Sequence, residues 1–198
     1  VLTDEANNEQ SWKKFFTEMK HKSNNVKAEG DTLWILQITG AGHMNVSGPP
    51  RALYKGQREL PHGPVLTADE IETQLDEYVH ATRLAYERGA DGIDFKQCHR
   101  YFASLFLRPN NQREDAFGGR FENRTRFVKE YMTRAKKEIR DNTFLWTTRI
   151  NGWDGGFPGG FGMAGPAVQE QPRARNPKAW IRDTTEVEKF YGLLNSLG

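Results

Sequence analysis

The feature that most constrains the fold is the alternation of helical and strand patterns along the chain. Residues 33–39 form a short apolar run that is typical of a parallel strand buried on both faces. This strand and two further predicted strands each lie between segments whose apolar residues recur at helical spacing. This order predicts an α/β protein with a parallel sheet. The predicted elements are helix 11–22, strand 33–39, helix 67–88, strand 92–96, helix 123–139, strand 144–150 and helix 183–196.

Local signals mark the ends of the second predicted helix. Thr67 and Glu70 have the spacing of a capping box, in which each side chain binds the other residue's backbone N–H. Gly89 predicts a left-handed helix end. Further along, residues 151–175 are rich in glycine and proline, which predicts either a functional loop or a poorly ordered one.

Charge and cysteine content exclude several classes of protein. The net charge of +2 gives no global electrostatic argument for nucleic-acid binding. The single cysteine, Cys98, rules out a disulfide framework and a cysteine-rich metal site. The sequence has neither a signal-peptide pattern nor an apolar run long enough to span a bilayer. We therefore expect a cytoplasmic protein with no metal, nucleic-acid or membrane partner.

Polar residues gather where the predicted strands end. Gln37 lies near the end of the first strand, Lys96, His99 and Tyr101 lie at or just past the end of the second, and Arg149 lies near the end of the third. The carboxyl ends of parallel strands meet at one edge of a sheet, where α/β proteins keep their reactive groups. The sequence therefore predicts one polar site built from three consecutive strands.

A motif follows the second strand, where residues 111–127 read N-Q-R-E-D-A-F-G-G-R-F-E-N-R-T-R-F. Together with K-Q-C-H-R-Y at residues 96–101, it resembles the Old Yellow Enzyme family of FMN-dependent oxidoreductases, also called NADH:flavin oxidoreductases. That family has H-x-x-H or H-x-x-N, a tyrosine two residues on, and then N-x-R-x-D-x-Y-G-G-s-x-x-N-R-x-R-F. Phe117 replaces the usual tyrosine, and the matching residues are Asn111, Arg113, Asp115, Gly118, Gly119, Asn123, Arg124, Arg126 and Phe127.

The resemblance implies a partial (β/α)8 (TIM) barrel, roughly its strands 3 to 5 with the flanking helices. A complete barrel needs about 250 residues, whereas this chain has 198. We therefore expect residues 1–198 to form a single incomplete barrel domain, an interior fragment without the first strand and the last three strands of the barrel. A small complete α/β domain is the alternative. We expect residues 111–127 to act as scaffold.

The resemblance also implies roles for the residues at the strand ends. Gln37 is placed to bind the flavin pyrimidine ring, and Arg149 to lie near flavin N1 and O2, where a fixed positive charge favours the reduced ring. His99 matches a substrate-binding residue and Tyr101 the proton-donating tyrosine. The alternatives are a backbone-bonded glutamine for Gln37, an ion pair with a carboxylate for Arg149 and simple packing for Tyr101.

Lys96 departs from the family, which usually has histidine at this position. A lysine donates hydrogen bonds as a compact full charge and suits a carboxylate, an enolate or a phenolate better than a ketone. Strand alternation places Asp94 on the same face, so a buried ion pair between Asp94 and Lys96 is an equal alternative.

The resemblance implies an FMN-dependent oxidoreductase that transfers hydride between the reduced flavin and a small organic substrate such as an activated alkene. NAD(P)H is the expected electron donor, and a homo-oligomer is left open. One alternative is a non-redox barrel, a lyase or hydrolase that uses Lys96 as a base or Schiff-base amine. A second is a non-catalytic barrel fragment.

Overall fold

The computed structural model describes residues 6–26, 32–44, 49–154, 159–162 and 183–198. Most of the loop predicted over residues 151–175 lies outside these ranges. The helices and strands alternate as the sequence predicts. The strands are β1 (Ile35–Ile38), β2 (Gly92–Gln97) and β3 (Leu145–Ile150), and the helices are α1 (Ala6–Val26), α2 (Ala68–Glu87), α3 (Phe102–Phe106), α4 (Phe121–Arg124), α5 (Arg126–Glu138) and α6 (Thr185–Leu197).

The three strands form one parallel sheet in the order β1-β2-β3, which confirms the predicted arrangement. β2 lies in the middle and is buried along almost its whole length. The register pairs Gln37 with Asp94 and Lys96 with Arg149. Because side chains alternate along a strand, these four side chains lie on one face of the sheet, called the site face below.

The opposite face of the sheet, the helix face, packs against α2 and α5. The ring of Phe95 stacks on Tyr131 of α5 with centroids 4.4 Å apart, and it meets Tyr78 of α2 edge-on at 5.4 Å. The Tyr131 hydroxyl lies 2.7 Å from Thr82 Oγ1, so both buried hydroxyls have a hydrogen-bond partner. The apolar core therefore lies on the helix face, and Asp94 and Lys96 of β2 lie on the site face.

The signals at the ends of α2 are confirmed. The Glu70 N–H donates to Thr67 Oγ1 at 3.2 Å, and the Thr67 N–H donates to Glu70 Oε2 at 2.7 Å. After the helix, Gly89 adopts a φ of 93°, a left-handed conformation that suits glycine. The chain then enters β2 after two further residues.

The helix predicted over residues 123–139 is two helices, α4 and α5, and in this respect the prediction was wrong. They meet at Thr125, whose Oγ1 donates to the carbonyl oxygens of Phe121 at 3.0 Å and Glu122 at 3.2 Å. A threonine hydroxyl bound to the preceding turn competes with the regular backbone ladder. The short buried helix α3 was not among the predicted helices.

Side chains of the glycine-containing motif bind one another and nearby backbone. Asn111 Nδ2 donates to the carbonyl oxygens of Phe106 at 3.1 Å and Phe117 at 2.7 Å. Arg113 Nε donates to Asp115 Oδ1 at 3.1 Å. These contacts lie within the loop that leads from α3 to α4, as the scaffold interpretation of the motif requires.

Candidate functional site

The side chains near the three strand ends lie together on the site face. Gln37 is the third residue of β1, while Lys96 and Arg149 are the fifth residues of β2 and β3. Lys96 and Arg149 are also register partners on adjacent strands. The structure thus brings these three predicted residues to one edge of the sheet, and their chemical roles stay predictions.

The carboxylate of Asp94, which the sequence suggested only as a partner of Lys96, joins two of these residues. Asp94 Oδ2 accepts hydrogen bonds from Gln37 Nε2 at 2.8 Å, from Arg149 Nε at 2.8 Å and from Arg149 Nη2 at 2.6 Å. Asp94 is only 8% exposed, whereas the side chain of Arg149 is 60% exposed. Arg149 is therefore held at one end and open to solvent at the other. The ion pair considered for Arg149 does form.

The ion pair considered between Asp94 and Lys96 does not form, because Asp94 pairs with Arg149 instead. Lys96 lies two residue steps, about 7 Å, from Asp94 along β2. The planar fork of Arg149 reaches back to the carboxylate from β3. The Lys96 ammonium group lies 3.5 Å from the centre of the Tyr101 ring. This cation–π contact brings together two residues that the sequence predicted for substrate binding and proton transfer.

The turn after β2 has an unusual backbone. His99 and Arg100 have φ values of 57° and 64°, in the left-handed region that costs a non-glycine residue roughly 1–2 kcal/mol. The Tyr101 N–H donates to the Cys98 carbonyl at 3.2 Å and closes the turn. Both left-handed residues are exposed. Such strain is found at functional sites, and here the two strained residues lie between Lys96 and Tyr101 in the chain.

Sequence reasoning missed a buried ion cluster that ties together the segments following all three strands. Arg108 is fully buried, and its guanidinium lies 3.0 Å from Glu59 Oε1 and 3.2 Å from Asp154 Oδ2. Burial alone would lower the pKa of Arg108, but Tyr54 and the two carboxylates outweigh it and raise that pKa. In the sequence, Arg108 comes directly after an apolar run, and this pattern does not indicate which carboxylates it binds.

Cys98 is buried, and burial raises the pKa of its thiol, although Lys96 and Arg149 oppose that shift. A buried thiol in such an environment packs as a small apolar side chain. Within the described ranges, no three histidine, cysteine or acidic side chains come close enough together to hold a metal ion. Of the helices described, none combines the length and the apolar character needed to cross a membrane.

A known protein family matches most of the chain. The sequence model of the NADH:flavin oxidoreductase / NADH oxidase family matches residues 10–161. The chain belongs to this family. The matched region includes all three strands and therefore Gln37, Lys96 and Arg149. The family resemblance that the sequence indicated is thus confirmed.

Curated members of the family are similar to parts of the chain. Enoate reductase 1 of Kluyveromyces lactis is 41% identical over 70 residues, which are 35% of this chain and 17% of that protein. A putative 12-oxophytodienoate reductase-like protein of Arabidopsis thaliana is 37% identical over 75 residues, or 37% of this chain and 23% of that protein. The chain thus spans less than a quarter of the length of either relative.

Solved structures of the family share the fold. The Old Yellow Enzyme homologue of Zymomonas mobilis matches with a TM-score of 0.60 and 25% identity, over 74% of this chain and 43% of that one. Histamine dehydrogenase of Rhizobium sp. 4-9 matches with a TM-score of 0.55 and 25% identity, over 70% of this chain and 22% of that one. The expected partial (β/α)8 barrel is therefore confirmed.

Proposed function

We propose that the protein is an FMN-dependent oxidoreductase that passes hydride from reduced flavin to a small organic substrate such as an activated alkene, with NAD(P)H as the electron donor. One observation carries the proposal. Gln37 and Arg149, on the two outer strands, are both hydrogen-bonded to Asp94 on the central strand. A flat ring with a polar edge is the kind of ligand that such a row of polar groups can recognise.

The residues present fit the flavin. Its pyrimidine edge carries carbonyl oxygens and one N–H, and a glutamine amide can both donate and accept hydrogen bonds. Arg149 keeps a permanent charge, which suits the negative charge that a reduced flavin carries near N1. Its 60% exposure leaves the far end of the guanidinium accessible from the site face. When bound, the flavin supplies two-electron transfer, and the protein supplies binding, orientation and protons.

The second strand supplies the groups proposed to act on the substrate. Lys96 binds an anionic group of the substrate, such as a carboxylate, through a charge-assisted hydrogen bond. His99 binds the same end of the substrate from the exposed turn. Tyr101, in contact with Lys96, donates the proton that completes reduction of an activated alkene. We place this chemistry in the cytoplasm, where NAD(P)H is available and the single cysteine stays reduced.

The test is flavin binding by the whole protein and by its Arg149→Ala variant. We expect the whole protein to purify with FMN or to take it up, and Arg149→Ala to weaken binding or to shift the flavin potential negative, because a fixed charge beside the reduced ring is lost. Arg126→Ala, which removes an exposed arginine of α5, is the matched control.

Two results would count against the proposal. A whole protein that binds no flavin would remove its basis, and unchanged flavin content and potential in Arg149→Ala would remove the role of that residue. Borohydride trapping in the presence of a carbonyl substrate separates the competing function. A lysine adduct at Lys96 would favour the non-redox barrel chemistry, in which this amine forms a Schiff base.

A further inference from the structure

We infer that Asp94 is a positioning residue, which fixes the pattern of hydrogen-bond donors and acceptors that Gln37 and Arg149 present to the flavin. This inference rests on the proposed function and deepens it. The starting point is that one buried oxygen, Asp94 Oδ2, accepts all three hydrogen bonds from those two side chains. Both flavin-binding candidates therefore share a single anchor on the strand between them.

The first consequence concerns the orientation of the Gln37 amide. An ionised carboxylate only accepts hydrogen bonds, so the NH2 group of Gln37 must face Asp94. The Gln37 carbonyl oxygen and its second N–H then point away from Asp94. Without the carboxylate, the amide could turn over and exchange its donor for its acceptor. Such an exchange would present the wrong group to the N–H or carbonyl of a pyrimidine edge.

The second consequence concerns Arg149. Its Nε and Nη2 are both engaged by Asp94 Oδ2, so the guanidinium is held from its inner side. A guanidinium has five N–H donors, so three remain, and they lie at the outer end of the fork. Asp94 therefore orients an exposed and otherwise mobile cation, because an arginine side chain has many rotamers to lose on ordering.

A third observation concerns the other oxygen of the Asp94 carboxylate. Its second oxygen, Oδ1, is buried and has no hydrogen-bond partner among the described residues. A buried carboxylate oxygen without a donor is unfavourable for folding, and such groups in native proteins call for a functional explanation. Moreover, Lys96 on the same strand face is in contact with Tyr101 and does not neutralise Asp94.

The position of the carboxylate predicts an effect on the flavin potential. Asp94 offsets part of the positive charge of Arg149, and reduced flavin gains negative charge. Removing the Asp94 charge leaves Arg149 uncompensated, so the reduced form is favoured and the potential shifts to a more positive value. This direction is opposite to that expected for Arg149→Ala, which separates the two residues in one measurement.

The experiment uses the whole protein and compares Asp94→Asn with Thr147→Val. Thr147 is the register partner of Asp94 on β3, so its side chain lies on the same face at the same level. We expect Asp94→Asn to raise the FMN dissociation constant about tenfold or more and to shift the potential positive, while Thr147→Val changes neither. Asp94→Asn should also add little further loss of affinity when Gln37→Ala and Arg149→Ala are already present, because Asp94 acts through them.

Asp94→Glu is a second variant, which tests the inference if Asp94→Asn does not fold. It keeps the charge but displaces the carboxylate by one methylene, so FMN affinity should fall with a smaller change in potential. If the parent binds FMN and every folded Asp94 variant matches Thr147→Val in affinity and potential, the inference is overturned while the proposed function stands. A parent that binds no FMN overturns both.

Discussion

The ammonium group of Lys96 lies 3.5 Å from the centre of the Tyr101 ring. Both residues are half-buried at the carboxyl end of β2. The contact places a fixed positive charge against the residue proposed to donate a proton. A substrate anion bound by Lys96 would therefore lie next to Tyr101, which ties substrate preference to proton transfer.

The first prediction concerns substrate preference. Lys96→His should shift the preference from carboxylate-bearing enoates toward neutral enones, because the charge-assisted hydrogen bond from the ammonium group is lost. We expect the ratio of kcat/KM for an enoate to that for a matched enone to fall about 10- to 100-fold. Lys137→His, in an exposed position on α5, is the control. An unchanged ratio in Lys96→His would rule out substrate binding by Lys96.

The second prediction concerns proton transfer. Tyr101→Phe keeps the ring under Lys96 but removes the hydroxyl. Oxidation of the reduced enzyme by an activated alkene should slow by about 10²- to 10⁴-fold, while reduction of the enzyme by the nicotinamide continues at the parent rate. Stopped-flow measurement of the two half-reactions separates these effects. Tyr86→Phe, which removes an exposed hydroxyl bound to Asp141, is the control. Equal slowing of both half-reactions would point to a disturbed site instead of a lost acid.

Much of the fold could be predicted because the sequence carries its signals locally. The strands β1 and β2 and the capping box at Thr67 depend on nearby residues and appeared where expected. The expectation that the first strand is buried on both faces was wrong, because only Ile38 of β1 is buried. The motif at residues 111–127 also depends on contacts between residues close together in the chain. A Cβ on Gly118 would lie 2.5 Å from Arg113 Cβ, so glycine is the residue that fits there.

The parts that escaped prediction depend on residues far apart in the chain. Sequence spacing placed Asp94 and Lys96 on one face, but the choice of Arg149 as the partner of Asp94 required the register between β2 and β3. In the same way, Glu59 and Asp154 are 49 and 46 residues from Arg108 in sequence. No pattern in a single sequence pairs charges over such distances.

The third prediction tests the buried cluster around Arg108. Arg108→Ala should lower the free energy of unfolding by about 3–5 kcal/mol, because it leaves the carboxylates of Glu59 and Asp154 buried without their cation. Arg83→Ala should cost about 1 kcal/mol or less, since the Arg83 pair with Glu87 is exposed. Urea denaturation of the whole protein measures both changes. A similar loss for the two variants would contradict the structural importance of the cluster.

The last prediction concerns acid stability and the carboxylate of Asp115. Burial disfavours its ionised form, but hydrogen bonds from Arg113 and from the Phe117 N–H outweigh burial and lower the pKa of Asp115 below the usual aspartate value. In the unfolded chain the group titrates near about 3.9. Because the folded pKa is the lower one, its contribution to stability is complete above about pH 4 and is lost as the pH falls through the folded pKa.

Asp115→Asn should therefore be less stable than the parent at neutral pH, and the difference should shrink as the pH falls below about 4. The asparagine keeps the size of the side chain, removes the titrating group and replaces one of the two acceptor oxygens with an NH2 donor. Urea denaturation at a series of pH values between about 7 and 3 gives the free energy of unfolding for both proteins. If the difference stays constant across that range, the ionised carboxylate of Asp115 does not stabilise the motif.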